Sequence, residues 1–387
     1  MAVRYVRVDP LVSLFAPGVR AFGTIAVIGR MPASPALPTT RALPAAPALP
    51  ARLALPAPLA LPVAVPFSGP DEAIRTFPGE LGAAIALAFG QTPGPTLVYG
   101  VAVDADAPGW TDALETVAGL PVQLVVLADT PVDPATRAAD GPIGLLSAHV
   151  TSVSEAGDGR ERMGVAMLAK GATTAADIVT NERMVYIAHR SDQDAAAAVA
   201  GTIAGYEPAV SLLLKPVNIV SDPFTDAEID ALTGTGVNWL TNPALIPGHG
   251  VYLGEAYTGA PGGDKRYIDV CRLVDDLNFR LKARLISAAG EVRITRSGLR
   301  ALIAQLEAVL LPLVDADVLN SFWIEVPLLA QLDQDPAVRP RAEARRLVRV
   351  LIAVEYAGTV QRLTIDLTST RPFGDPATRA GEKSSMS

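Results

Sequence analysis

Apolar residues in the first half of the chain fall into short unbroken runs separated by longer stretches in which apolar and polar positions alternate with helical spacing. Val122–Leu127, Met163–Leu168 and Met184–His189 are the clearest runs. Runs of this length, apolar on both faces, suit strands covered on both sides in a mostly parallel sheet. Thr24–Gly29 and Thr96–Val103 read in the same way. The first is too short to stand alone and needs a partner strand. Between the runs, the spacing predicts helices around Gly79–Phe89, over Trp110–Val117 and over the Ala-rich stretch Asp192–Gly205, with a capped start at Ser68–Ala73. Gly141–Val150 is predicted to continue the strand series as a turn and strand. Strands alternating with helices imply an α/β domain.

The second half changes character after Val217. A helix is predicted from Thr225, carrying Glu228, followed by the turn Gly234-Thr235-Gly236 and a short apolar strand at Val237–Leu240. A second strand, Gly250–Tyr257, completes a hairpin. The polar loop Gly259–Asp264 then opens a long amphipathic helix with Val270, Leu273, Val274, Leu277, Leu281 and Leu285 on one stripe. Ser297 is the predicted cap of another apolar helix, running through Leu299, Leu302 and Leu306 to Leu313. Beyond a turn at Asp315–Leu319 comes a strand near Phe322–Val326. Arg346–Tyr356 and Gln361–Thr368 alternate around Ala357-Gly358 like a hairpin.

The order formed by the Gly-Val-Asn strand Gly236–Asn238, the Gly-His-Gly-Val segment Gly248–Val251 and the helix opening Arg266-Tyr267-Ile268-Asp269-Val270-Cys271-Arg272 resembles the C-terminal half of contractile tail sheath proteins. These form the outer tube of phage tails, R-type pyocins and related injection systems. A weaker likeness extends over Asp71–Val103 and Glu325–Thr370. The resemblance implies a subtilisin-like α/β sheath domain plus an α+β C-terminal sheath domain, with N- and C-terminal strand arms. It divides the chain into an arm and strand at 1–30, a Pro/Ala/Leu-rich linker at 31–66, the α/β domain at 67–222, the C-terminal domain with its arm at 223–377, and a polar tail at 378–387 expected to be disordered. It also implies a structural subunit rather than an enzyme, polymerising helically with itself, as stacked hexameric rings, around an inner tube protein. Baseplate and terminator or cap proteins would be further partners. Assembly would take place in the cytoplasm, and the product would be a virion tail or injection particle.

Composition narrows the alternatives. The chain has 387 residues, of which 50% are hydrophobic and only 19% charged, so apolar surface is available for contacts between copies as well as for a core. A net charge of −8 with no dominant Lys/Arg cluster argues against a nucleic-acid binder. The single cysteine, Cys271, excludes an intrachain disulfide and reads as a small buried apolar residue. Met1–Arg20 carries Arg4, Arg7 and Asp9 and does not resemble a secretory signal. No stretch of about 18 apolar residues free of Pro and charge occurs, so no membrane insertion is expected. Ten prolines between Pro32 and Pro66 enforce an extended, stiff path there. Its leucines suit a course over an apolar groove as well as they suit a spacer.

No catalytic set is evident and no cofactor is expected. Asp129, His149 or His189, and Ser211 stand in the Asp, His, Ser order of a subtilisin-like hydrolase, the enzyme alternative to the sheath reading. However, Ser211 is followed by Leu212-Leu213-Leu214 rather than the small residues such a nucleophile needs. A tail tube or capsid subunit is the structural alternative. Asp104, Asp106 and Asp112 could be drawn as cation ligands, but loop residues after a strand are the simpler reading. Pro261–Lys265 lacks the spacing of a phosphate loop, Gly234–Gly236 that of a dinucleotide fingerprint, and a solitary His249 makes no metal site. Two features point to assembly. Arg280, Lys282 and Arg284, beside Arg272 on the long helix, are candidates for contact with an acidic inner tube, and equally suit a solvated helix end. The strands Val3, Arg4, Tyr5, Val6, Arg7, Val8 and Leu363, Thr364, Ile365, Asp366, Leu367, Thr368 are candidates for pairing with neighbouring subunits through their backbone groups.

Overall fold

A computed structural model describes residues 22–31, 62–105, 109–176, 178–248, 250–288, 291–334 and 348–358. All but Gly358 belong to one compact unit, Met1–Ala357. The expected strands at 3–8 and 363–368, the polar tail and most of the Pro-rich segment lie outside the described residues.

Among the described residues, nine strands form one sheet. In chain order they are β1 (Ile25–Met31), β2 (Ala64–Phe67), β3 (Val98–Asp104), β4 (Leu124–Val132), β5 (Met163–Leu168), β6 (Met184–Ala188), β7 (Pro216–Val217), β8 (Val237–Thr241) and β9 (Val251–Leu253). The spatial order is β2-β3-β1-β4-β5-β6-β8-β9-β7. The pairs from β3 to β8 are parallel, whereas β2, β9 and β7 join antiparallel at the two ends. β1 is thus an interior strand, hydrogen-bonded to β3 on one side and β4 on the other. Ala64–Phe67, the end of the expected linker, is not linker but the edge strand β2. The sheet continues past residue 222 through β8 and β9, crossing the line at which the sequence reading divides the chain.

Helices cover both faces, as the unbroken apolar strands require. α1 (Pro70–Thr76), α2 (Glu80–Phe89) and α5 (Ala195–Gly205) cover one; α3 (Trp110–Ala118), α4 (Pro142–Glu155) and α6 (Asp226–Leu232) cover the other. Alternation along β1 sends Ile25 and Val27 to the first core and Ala26 and Ile28 to the second. α5 is buried from Ala195 to Ala204, and its small side chains let it lie close to α2. A Cβ at Gly201 would come within 2.4 Å of the Ala88 carbonyl oxygen. The segment expected as a turn and strand, Gly141–Val150, is instead the start of α4. Pro142 sits in its first turn, and Ile143, Leu146 and Val150 fall at helical intervals on its buried face.

The remaining described residues form a smaller lobe. α7 (Ile268–Ala288) and α8 (Arg296–Asp315) pack together and against a separate antiparallel pair, β10 (Leu319–Glu325) and β11 (Leu351–Tyr356), with the short helix α9 (Pro327–Gln334) between them. The cap of α8 is Thr295 rather than Ser297: the Thr295 hydroxyl accepts from the Gly298 amide at 3.1 Å. Among the described residues α8 alone is long and apolar enough, by length and composition, to cross a membrane. Here it turns Leu299, Leu302, Leu306, Val309 and Leu310 inward.

Candidate assembly surfaces

α7 is the element on which the candidate residues converge, and its two halves differ. The N-terminal half is buried although it is rich in charge, because each charge meets a designated partner. Asp275 takes a two-pronged grip from Arg183 on the sheet side, at 2.9 and 3.0 Å, with both side chains buried. That ion pair holds the Arg183 guanidinium above its ordinary range despite burial, the largest influence, which acts the other way. Arg272 drives its guanidinium into backbone carbonyls, donating to Tyr206 at 2.8 Å, Phe22 at 3.3 Å and Glu207 at 3.4 Å. Burial pushes it down to about 10, partly offset by Asp269 and Asp276. Cys271 is buried, as its small apolar character suggests, and its thiol is pushed up to about 12 by that burial, with Asp275 adding to it. Arg272 is therefore an internal strut between three segments and not part of a solvated basic face.

The C-terminal half is more open. Arg280 pairs with Asp276 at 2.7 Å, one helical turn back. Lys282 reaches across to Glu161 at 2.7 Å, a carboxylate only 3% exposed. Arg284 is half-buried. Between this half of α7 and the loop that enters β5 lies a largely apolar groove of about 520 Å³, walled by Phe279, Ala283 and Ile286 and floored by Gly157 and Gly159. Gly159 has a φ of +74°, and a Cβ there would press on the Phe279 ring at 3.3 Å, so the floor depends on glycine.

The β10–β11 pair is the second surface. Its inner face packs Phe322, Ile324, Ile352 and Val354 against α7 and α8. Its outer face carries Trp323, 54% exposed, opposite Ala353, while Trp110 and Trp239 are buried in the body. Among the described residues no third strand joins either edge.

The hydrolase residues do not assemble. The His189 Nε2–H donates to the Leu168 carbonyl at 3.0 Å and its Nδ1 accepts from the Ser191 amide at 3.2 Å, so both ring nitrogens are committed to backbone. Burial lowers its affinity for a proton. His149 lies on α4 with its Nε2 3.4 Å from an Arg162 guanidinium nitrogen, and burial followed by that charge pushes it down to about 4. Asp129 sits within β4, where the pairing with β5 is interrupted between Val126 and Pro131, with φ +46° and its amide donating to the Asp194 carboxylate. Asp104 ends β3, Asp112 lies in the first turn of α3, and Asp106 and His249 fall outside the described residues. No group of three or more His, Cys, Asp or Glu gathers around a metal-sized space among the described residues. Gly259, at the head of the Gly-rich loop, is tied by its amide to the Met184 carbonyl at 2.7 Å.

The long-range pairs Arg183–Asp275 and Lys282–Glu161 went unseen in the sequence. Each joins residues about a hundred positions apart, and only the sheet order brings them together. Asp269, Asp275 and Asp276 on an otherwise apolar stripe were the one available signal.

No protein-family profile matches the chain, and no curated protein matches it in sequence. Solved structures do match in shape. A chain of the contracted helical sheath of the anti-feeding prophage (AFP) superposes with a TM-score of 0.64 at 13% identity, covering 96% of this chain and 100% of that one. A chain of the contracted PVC sheath complex, from an extracellular contractile injection system, gives 0.65 at 12% identity over 96% and 98%. A chain of the AFP baseplate gives 0.63 at 14% over 91% and 94%. With almost nothing of either chain left over, this protein has the fold found in the sheath and baseplate assemblies of contractile injection systems.

Proposed function

We propose that this chain is a structural sheath subunit that polymerises helically, as stacked hexameric rings, around an inner tube and contracts to drive that tube through a target envelope. The end-to-end likeness to contracted sheath chains carries the reading. Within it, the body built on the nine-stranded sheet, β1, β8 and β9 included, would be the subtilisin-like α/β domain and the α7–β11 lobe would belong to the C-terminal domain, with arms before β1 and after β11. The open edges of β10 and β11 favour strand pairing between copies, because a lone two-stranded sheet is marginal in water and its unmet backbone groups accept further strands. Residues 3–8 and 363–368 of neighbouring copies are the strands that would complete it. Arg280 and Arg284 lie about 100–140° around α7 from Phe279, at about 100° per residue, and would form the face turned to the inner tube; Lys282, the third candidate, lies about 60° to the other side of Phe279. Surface pairs of this kind contribute about 0–1 kcal/mol each, which suits a contact that must let go along the whole length.

Contraction would be the passage from a metastable packing to one that buries more area between subunits, with no nucleotide and no catalysis. Assembly in the cytoplasm, attachment to a baseplate and closure by a terminator protein complete the proposal. Deleting Ala2–Asp9 tests it. The truncated chain should fold with unchanged thermal unfolding and stay monomeric in sedimentation, while the full chain forms wide ridged cylinders in negative stain. Cylinders from the truncated chain would rule out the arm, and thin smooth tubes from the full chain would assign it to the tube instead.

A further inference from the structure

The groove beside α7 has a counterpart at the far end of the same molecule. The loop after β8, Asn242–Gly248, carries Leu245 at its tip, 96% exposed and the most exposed large apolar side chain among the described residues. Pro243 and Pro247 bracket it, and the Ile246 amide donates to the Pro243 carbonyl at 3.1 Å, so the tip is held in a turn before it meets anything. A knob ordered in advance loses little entropy on docking.

Strand direction fixes where the two features lie. β5 and β8 both run parallel to β6. The groove is floored by the loop that leads into β5, at the amino ends of the parallel strands; Leu245 follows β8, at their carboxyl ends. Knob and groove therefore face opposite ways and cannot meet within one chain. Their electrostatics also match. From Val237 to Gly254 there is no Lys, Arg, Asp or Glu; of the two charged residues that line the groove, Lys282 is paired with Glu161 and Asp158 stands exposed on the loop. An uncharged tip brings no further charge into this groove.

We infer that Leu245 of one copy docks in the Phe279–Ala283–Ile286 groove of the next, a head-to-tail contact along the strand direction. A knob on one end and a hole on the other make a heterologous interface, which closes into a ring or continues as a helix and does not stop at a dimer. The inference rests on the polymerising reading above. It also moves Lys282 from the tube-facing set to the rim of this groove, leaving Arg280 and Arg284 on the other face of α7.

The test is covalent trapping in the full chain. A Leu245→Cys/Ala283→Cys double variant, assembled and then treated with a mild thiol oxidant, should give a ladder of covalent oligomers on a non-reducing gel. Each bond forms by two-electron oxidation of two thiols, with both protons lost to solvent and the oxidant reduced. Cys271, buried and with its thiol pushed up to about 12, stays out of the reaction. The two single variants should give no ladder separately and a single heterodimer band when mixed. Leu245→Asp, on an exposed tip where folding is not at stake, should raise the critical concentration for assembly by about tenfold, as losing one packed apolar anchor does.

Cylinders in negative stain without the ladder would overturn the knob-and-groove contact while leaving the sheath reading in place. Crosslinking of either single variant to itself would also overturn it, because the interface would then be symmetric. A ladder from a chain that never forms cylinders would support the contact and overturn the sheath.

Discussion

The nine-stranded body and the α7–β11 lobe are closed in different ways. In the body, helices cover both faces of the sheet, and the strands between β3 and β6 are buried almost residue for residue. In the lobe, two strands lean on two helices with one face and present a tryptophan on the other, and β11 alternates half-buried and exposed positions from Ile352 to Tyr356. The lobe meets the body at α7 through Ile268 and Cys271, which enter the body's core, and through charge: Arg183 with Asp275, Lys282 with Glu161, Arg272 with three carbonyls. Directional contacts fix one docking position sharply and tolerate displacement poorly, whereas apolar packing is less particular. The body is thus covered on both sheet faces, whereas the lobe leaves one face of its strand pair open.

Breaking the joint between the two should have the largest effect. Arg183→Ala leaves Asp275 buried without its main partner and should cost about 3–5 kcal/mol in denaturant unfolding. A joint replacement, Arg183→Met with Asp275→Leu, should recover most of that. Next in size is a comparison of cavities. Leu146→Ala, at a fully buried site between α4 and the sheet, should cost about 2–5 kcal/mol, whereas Ile352→Ala in the half-buried lobe should cost about 1 kcal/mol in the monomer. If both cost the same, the lobe is as closed as the body and the contrast fails.

Acid should act on the body through His149. Its folded-state pKa, about 4, lies below the unfolded value of 6.5. The unfolded chain therefore binds the extra proton first, and stability present above pH 6.5 is lost as the pH falls towards 4. At about 1.4 kcal/mol per pKa unit the loss reaches a few kcal/mol. His149→Gln should flatten the stability profile over that window, read as midpoints of unfolding from pH 4 to 7. Smallest is Thr295→Ala, which removes the α8 cap and should cost about 1 kcal/mol, confined to the lobe in hydrogen exchange.

The body was legible in the sequence where local pattern decides structure. The apolar runs at 122–127, 163–168 and 184–189 became β4, β5 and β6, and Thr225 with Glu228 caps α6 through reciprocal hydrogen bonds. Pattern was ambiguous at Gly141–Val150, where a short apolar run fits strand and helix alike and Pro142 decides for helix. Strand order was not legible at all. Nothing local in Ile25–Met31 says that it lies between β3 and β4, since hydrogen bonding along a sheet is the same for every strand. The candidate surface was half legible: Arg280, Lys282 and Arg284 stand out by charge, but the groove between the Phe279–Ala283–Ile286 face of α7 and a loop more than a hundred residues earlier exists only in three dimensions. Leu245, one leucine among many, gains its meaning only from being left in water.

The uneven placement of the three indole rings gives the molecule a built-in optical gauge. Two of them emit from a dry interior whatever the chain is doing, while the third looks out from the strand pair of the lobe. If copies gather over it in the proposed assembly, its light should move towards the blue, and that growth could be followed in a cuvette without any dye.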